Sequence, residues 1–356
     1  MNTVRQTLDA IHALPLPETV RILNLSGHHE RVIVASGMRQ LLPEAVELLS
    51  GPGCAASICP EADLYQAIRL SQDGALTLLV GENLIDLPLG TDSGVPRSLS
   101  QAQREGADVR TVSAPIEAIL QAEADPQRQM ILFAAGYETL LAPLAGMVVE
   151  GLPDNLSVLL CGRRVEPLLE LLLDRPDSAI DALLLPGNRC ALLGTRGWEN
   201  LSARHHIAAA VAGYTSASIL SALHAVLDQH CKDEARVDNL YRAMVRPEGN
   251  PMAVDQLERV FALATGHWRG LGSVEQTAYR WRNTYRVVDA DQRFTDFRDQ
   301  MPVGRGEMPP GCECAAVVLG ERTPQQCLWF SSRCEPESPH GPCMASDDGT
   351  CKLHSD

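Results

Sequence analysis

Four cysteines near the end of the chain, Cys327, Cys334, Cys343 and Cys351, are set at C-x6-C-x8-C-x7-C, and six of the 11 cysteines fall in the last 45 residues. Four soft thiolates brought together suit a cubane [4Fe–4S] cluster or a tetrahedral zinc ion. Zinc sites usually draw their thiolates in close C-x2–4-C pairs, and none of these four is so closely paired, so the spacing favours iron–sulfur. Pro336, Pro339, Gly341, Pro342 and Gly349 lie between them and bend the segment so that distant thiolates converge. A disulfide-bonded tail would need an oxidising compartment, and no feature of the sequence points to export. Cys312 and Cys314 stand just upstream. A C-x-C pair forms only a strained and easily reduced disulfide, which makes them candidates for a redox-active dithiol beside the centre.

Two further segments carry groups capable of chemistry. Ser26-Gly27-His28-His29-Glu30 follows one apolar run, and Gly51-Pro52-Gly53-Cys54, with Cys59 beyond it, follows the next. Glycines at 51 and 53 allow a tight approach and present Cys54 at a turn rather than in a core. Adjacent histidines serve equally as ligands or as a surface loop. Glu138, in Gly136-Tyr137-Glu138-Thr139, orients a ligand or relays a proton if it faces a cleft, and otherwise complements a helix N-terminus. Arg269 reads as an anion contact or as a structural link between lobes. Cys161, Cys190 and Cys231 lie in apolar or helical surroundings and read as packing residues.

The elements that must position these groups alternate short apolar runs with longer amphipathic stretches, the pattern of parallel α/β units. Strands are expected at Val20–Leu25, Ala45–Leu49, Leu76–Val80, Val109–Val112, Met130–Ala134, Val158–Leu160, Ala182–Leu185 and Ile207–Val211. Helices are expected at Glu30–Leu42, Ser98–Glu105, Val165–Leu173, Ser216–Gln229 and Ala253–Ala264. This gives an α/β lobe over residues 1–150, a second over 151–300, and a cysteine-rich region over 301–356 that opens on a Pro- and Gly-rich stretch from Met301 to Gly311. Open parallel sheets bind ligands at their carboxyl edges, which is where the loops at 26–30 and 51–54 fall. A region as short as the last has no large core of its own and is held by its metal and by docking on the main body.

With 356 residues, 45% hydrophobic and 21% charged, the composition is that of a globular protein. A formal net charge of −15 argues against nucleic acid or an anionic membrane surface as partner. No uncharged apolar run approaches the ~18 residues of a membrane span, and the N-terminal residues lack a signal-peptide core. The expectation is a cytoplasmic protein without membrane insertion.

Over nearly its whole length the chain resembles the HypD family of [NiFe]-hydrogenase maturation factors. The resemblance is carried by Ser36-Gly37-Met38-Arg39-Gln40-Leu41-Leu42-Pro43, Ser50-Gly51-Pro52-Gly53-Cys54, Glu105-Gly106-Ala107-Asp108-Val109-Arg110 and Gly136-Tyr137-Glu138-Thr139. It continues through Pro186-Gly187, Arg246-Pro247-Glu248-Gly249-Asn250, Trp268-Arg269-Gly270-Leu271-Gly272, the tail cysteine spacing and Gly341-Pro342-Cys343-Met344. The resemblance implies two Rossmann-like lobes with a [4Fe–4S] cluster region on Cys327, Cys334, Cys343 and Cys351. It implies a scaffold and electron relay, rather than an enzyme of a free substrate, that holds iron transiently while the Fe(CN)2CO unit is built. The implied partners are a HypC-like small chaperone, a HypE-like cyanide donor and, indirectly, the hydrogenase large subunit. The resemblance implies active roles for Cys54 and His29, which stand where the family has its cysteine and histidine, and Glu138 in a matching segment joins them as a candidate on its place after a strand. The pattern departs where the family has cysteines, at Ser26 and Ser57, and also at His28, Asn188 and Tyr214-Thr215. A serine hydroxyl is hard and weakly acidic, and does not replace a thiolate on low-spin iron. A substitute site from Cys54 and Cys59, with His28 and His29, is a further expectation, as is Cys59 as a small buried residue.

Overall fold

The structure is a computed structural model that describes residues 2–90, 94–297 and 308–355. Eleven strands occur among them: β1 (Val20–Asn24), β2 (Val46–Ser50), β3 (Leu76–Gly81), β4 (Val109–Val112), β5 (Gln129–Gly136), β6 (Leu156–Gly162), β7 (Ala182–Pro186), β8 (Ala208–Ala212), β9 (Val237–Asn239), β10 (Phe261–Trp268) and β11 (Gly272–Trp281). Two parallel sheets form the body, one in the order β2-β1-β7-β8-β9 and one in the order β4-β3-β5-β6. Helices cover both, so the inner strands are buried on both faces. That is why β6, β7 and β8 read as continuous apolar or small-residue runs rather than alternating ones.

The sheets do not divide at residue 150. The five-stranded sheet takes β1 and β2 from one half of the chain and β7, β8 and β9 from the other, while β6 completes the four-stranded sheet. The four-stranded lobe is thus inserted into the five-stranded one, with Leu23 paired to Leu49 on one side and to Leu183 on the other. The boundary expected at 301 lies outside the described residues, as do residues 301–307 of the Pro- and Gly-rich stretch.

Two helices differ from expectation. The helix expected over Glu30–Leu42 is Gly27–Ala35, capped at its start by the Ser26 side chain, followed by a separate turn Met38–Leu41. Gly37 at φ 61 breaks the run, a left-handed conformation that glycine tolerates. The helix expected over Ala253–Ala264 is Pro251–Val260, capped by Asn250. Phe261 onward forms β10, which pairs antiparallel with β11 in a separate two-stranded ribbon. The alanines there suit a helix, but the partner strand, rich in Val, Thr, Tyr and Trp, takes them into the ladder. Burial along β10 alternates, as expected for a ribbon with one covered face.

The cysteine-rich segment folds back onto the body. Cys314, Val317, Val318, Cys334, Cys343, Met344 and Cys351 share one apolar core with Leu23, Ile58, Leu183 and Trp268. Helix Pro342–Ala345 packs on Ala55–Ile58, and helix Thr350–Leu353 packs on Gly27–Ala35. Buried Glu30 clamps this second contact by pairing with His354 and with Arg39, each at 2.8 Å, while Arg31 meets Asp348 at 2.9 Å. No helix among the described residues is long and apolar enough to cross a membrane.

Candidate functional site

The loops after β1 and β2 lie back to back. A Cβ on Gly53 would stand 2.7 Å from the backbone of Ser26 and Gly27, so only glycine allows the approach. Gly51 N–H donates to the Asn24 carbonyl at 2.8 Å and fixes the second loop to the end of the first strand. Between these loops and the carboxyl ends of β3, β4 and β5 opens a cleft of about 230 Å³, the crevice position expected of parallel sheets. Its wall includes Ser26, His28, Cys54, Tyr137, Asn188 and Asp348. Tyr137 donates its hydroxyl to the Pro52 carbonyl and ties the two sheets together across the cleft.

The two histidines part company. His28 lines the cleft. His29 is fully buried behind it, 5.0 Å ring to ring from Tyr214. Burial lowers the His29 pKa from 6.5 to about 4, against the smaller opposing pull of the Ala212 and Gly213 carbonyls, so the ring is neutral near pH 7. Glu138 is likewise fully buried, beneath the cleft. It pairs with Arg189 at 2.8 Å and accepts from the Tyr279 hydroxyl at 2.8 Å, while Arg189 also pairs with Glu166 at 2.6 Å. Burial pushes the Glu138 carboxyl up even though Arg189 pulls it down. Burial also opposes the Arg189 charge, but the carboxylates of Glu138 and Glu166 outweigh it. Arg189 lies over the rings of Tyr137 and Trp198, 5.8 and 5.6 Å from their centroids, and reaches the cleft wall. The sequence reading missed Arg189, whose only signal is a charge three residues past the end of a buried strand.

All six tail cysteines, Cys312, Cys314, Cys327, Cys334, Cys343 and Cys351, line one small apolar pocket of about 10 Å³ with Trp329, Phe330 and Met344. Gly341 gives Cys312 room, since a Cβ there would stand 2.4 Å from its sulfur. Hydrogen bonds from the thiols of Cys314 and Cys351 hold the Cys343 thiol well below the ordinary range, against the opposing effect of burial. The bond to Cys343 pushes Cys351 up, and burial does the same to Cys314 and takes Cys312 to about 12. The His340 N–H donates to the Cys334 sulfur at 3.4 Å. Sulfurs converging in an apolar pocket, with a backbone donor aimed at one of them, are the donor chemistry of an iron–sulfur or zinc centre. Cys314 and Cys351 act directly on the Cys343 thiol, and among the described residues no group of three or more His, Cys, Asp or Glu is arranged to hold a metal ion.

The pocket adjoins the cleft loop. Cys54 and Cys59 cap opposite ends of the short helix Ala55–Ile58. Cys54 contacts the Ser346 hydroxyl at 3.3 Å, and burial raises its pKa. Ser57, on the same turn, places its hydroxyl 3.0 Å from the Cys343 sulfur. Cys59 turns the other way, its sulfur 3.9 Å from Cys161 on β6. Arg269 is buried and donates to the Pro88 carbonyl at 2.6 Å, while its N–H reaches the Ile58 carbonyl, so it braces the loop from behind. Cys190 is buried beside Arg189, and Cys231 ends helix Ser216–Cys231 near the Pro15 carbonyl.

The family model HypD, described as "Hydrogenase formation hypA family", matches residues 2–356. A putative hydrogenase expression/formation protein of Methanocaldococcus jannaschii is 30% identical over 355 residues, covering 98% of this chain and 96% of that protein. Hydrogenase maturation factor HypD of Cupriavidus necator is 32% identical over 346 residues, covering 93% and 88%. The factor of the same name in Escherichia coli is 29% identical over 336 residues, covering 93% and 87%.

Proposed function

This chain belongs to the HypD family of hydrogenase maturation factors, and from that membership we propose that it is a scaffold and electron relay in assembly of the Fe(CN)2CO centre of a [NiFe] hydrogenase. In this reading Cys327, Cys334, Cys343 and Cys351 hold a [4Fe–4S] cluster, and Cys312 and Cys314 are the thiols beside it. The observation that supports it best is the convergence of six sulfurs from a 40-residue stretch in one apolar pocket, packed against the turn that carries Cys54. A cluster so held supplies single electrons.

The iron unit is cargo rather than a resident group. Cys54 offers the cleft a thiol, with His28 and the Asp348 carboxylate on the same wall. Glu138, Arg189 and Glu166 beneath it hold the floor rigid and the local charge fixed. His29 serves by packing: its neutral ring supports Tyr214 behind the loop. A HypC-like chaperone and a HypE-like cyanide donor would deliver to this cleft, in the cytoplasm where thiols stay reduced, and the finished unit would pass to the hydrogenase large subunit.

A second reading, a non-catalytic partner of the same machinery, draws on one observation: the hydroxyls of Ser26 and Ser57 are both engaged within the protein. The deciding experiment is an infrared spectrum of protein purified without oxygen from cells that express the other maturation factors. Iron-bound cyanide and carbon monoxide bands that vanish in Cys54→Ala, with iron and sulfide content retained, support assembly. Absence of the bands beside a full cluster supports the partner reading, and iron and sulfide unchanged in Cys334→Ser would remove the cluster assignment.

A further inference from the structure

Helices Ala55–Ile58 and Pro342–Ala345 press together, and at their contact a hydroxyl meets a sulfur in a site closed to water. Ser57 is 3% exposed and Cys343 is 0% exposed, with Oγ and Sγ 3.0 Å apart. We propose that Ser57 sets the reduction potential of the centre held by the tail cysteines, by donating its hydroxyl hydrogen bond to the Cys343 sulfur. The inference rests on the cluster reading above.

Besides Ser57, the thiols of Cys314 and Cys351 and the backbone N–H of Cys351 act on the Cys343 thiol and lower its pKa. As a ligand, Cys351 would carry no thiol proton to donate, which leaves the Ser57 hydroxyl among the few donors able to reach this sulfur. Negative charge on ligand sulfur grows when an iron–sulfur centre is reduced, so a donor at the sulfur stabilises the reduced state and raises the potential. Two features enlarge the effect. The surrounding core is apolar, with Ile58, Val317, Trp268 and Met344 in it, and a hydrogen bond is electrostatically stronger where the local dielectric is low. A hydroxyl is also a better donor than a thiol, which donates only weakly.

Burial raises the Cys54 pKa, and the Ser57 hydroxyl acts the other way on the same thiol. Serine itself undergoes no thiol–disulfide chemistry, so at this point the path from pocket to cleft is a hydrogen bond rather than an exchangeable thiol.

The test is a potentiometric titration, followed by electron paramagnetic resonance, of wild type, Ser57→Ala and Ser57→Cys purified without oxygen, with iron and sulfide measured on each. The expected result for Ser57→Ala is a tenfold fall in the ratio of reduced to oxidised centre at a fixed poise, a shift of about −59 mV for one electron, at unchanged iron and sulfide. Ser57→Cys falls between the two, and it decides the matter if the alanine variant does not fold. A potential equal to or above that of wild type in a loaded variant overturns the inference and leaves the cluster reading intact. Wild-type protein without iron and sulfide removes the cluster reading and this inference with it.

Discussion

Burying a neutral histidine makes stability depend on pH, and His29 is the place to measure it. The ring's pKa falls from 6.5 to about 4 on folding because burial disfavours the cation, and neighbouring His28 adds to the effect while Glu30 opposes it. Between those values the unfolded chain binds a proton that the folded chain refuses, so stability falls as the solution is acidified. Integrated from pH 7 to pH 5, this linkage amounts to about 2 kcal/mol. The window stays clear of Glu30, whose folded pKa is depressed by His354 and Arg39 despite the opposing effect of burial, so that its contribution is lost only at lower pH. The assay is denaturant unfolding of wild type and His29→Asn at pH 7, 6 and 5. The variant is expected to start less stable and to lose about 2 kcal/mol less than wild type across the window. Parallel loss in the two proteins would refute the reasoning and mean that the folded ring protonates near its ordinary pKa.

Arg189→Met strips the cation from between Glu138 and Glu166, and a buried pair broken on one side costs about 3–5 kcal/mol. Adding Glu138→Gln is expected to recover part of that loss in the same unfolding assay, and additive losses would contradict a shared network. Gly53→Ala puts a Cβ against the backbone of Ser26 and Gly27 and is expected to destabilise by about 1–3 kcal/mol through overpacking. Thermal melting checks this, and an unchanged melting temperature would mean that the two loops separate freely.

Local patterns were legible where burial alone writes the sequence. Apolar runs marked eight of the parallel strands to within about two residues, because inner strands of a covered parallel sheet show one chemistry on both faces. Which sheet each strand joins was not legible: β1 pairs with β7 across 160 residues of chain, and no local property of either records the partner. The β10–β11 ribbon was missed because Ala262 and Ala264 read as helix and only pairing with β11 overrides that preference. At the site, residue type pointed to the tail, whose six cysteines line one pocket. It failed where chemistry depends on the direction of a turn. Cys54 and Cys59 are five residues apart, yet they cap opposite ends of one helical turn and their sulfurs meet different partners, Ser346 and Cys161.

Ser26 and Ser57, where the resemblance leads one to expect cysteines, are not spectators. Ser26 accepts from the His29 N–H at 3.2 Å and caps helix Gly27–Ala35, a role in which a side-chain oxygen is preferred. Ser57 meets Cys343 across the contact between tail and body. Each hydroxyl therefore already has a partner inside the protein, and reversing either to cysteine would exchange a strong hydrogen-bonding group for a weak one at a packed contact. The cleft is left with one thiol, Cys54, whose pKa burial raises and whose sulfur contacts Ser346. A soft iron centre in this cleft would have to complete its ligation from His28, Asp348 or a partner protein. If the chain carries the iron unit proposed above, the number of protein ligands on that iron is the quantity that separates an assembly site from an interaction surface. It would show directly in the Cys54→Ala infrared spectrum: with a single protein thiol on the iron, the loss of its bands is complete rather than partial.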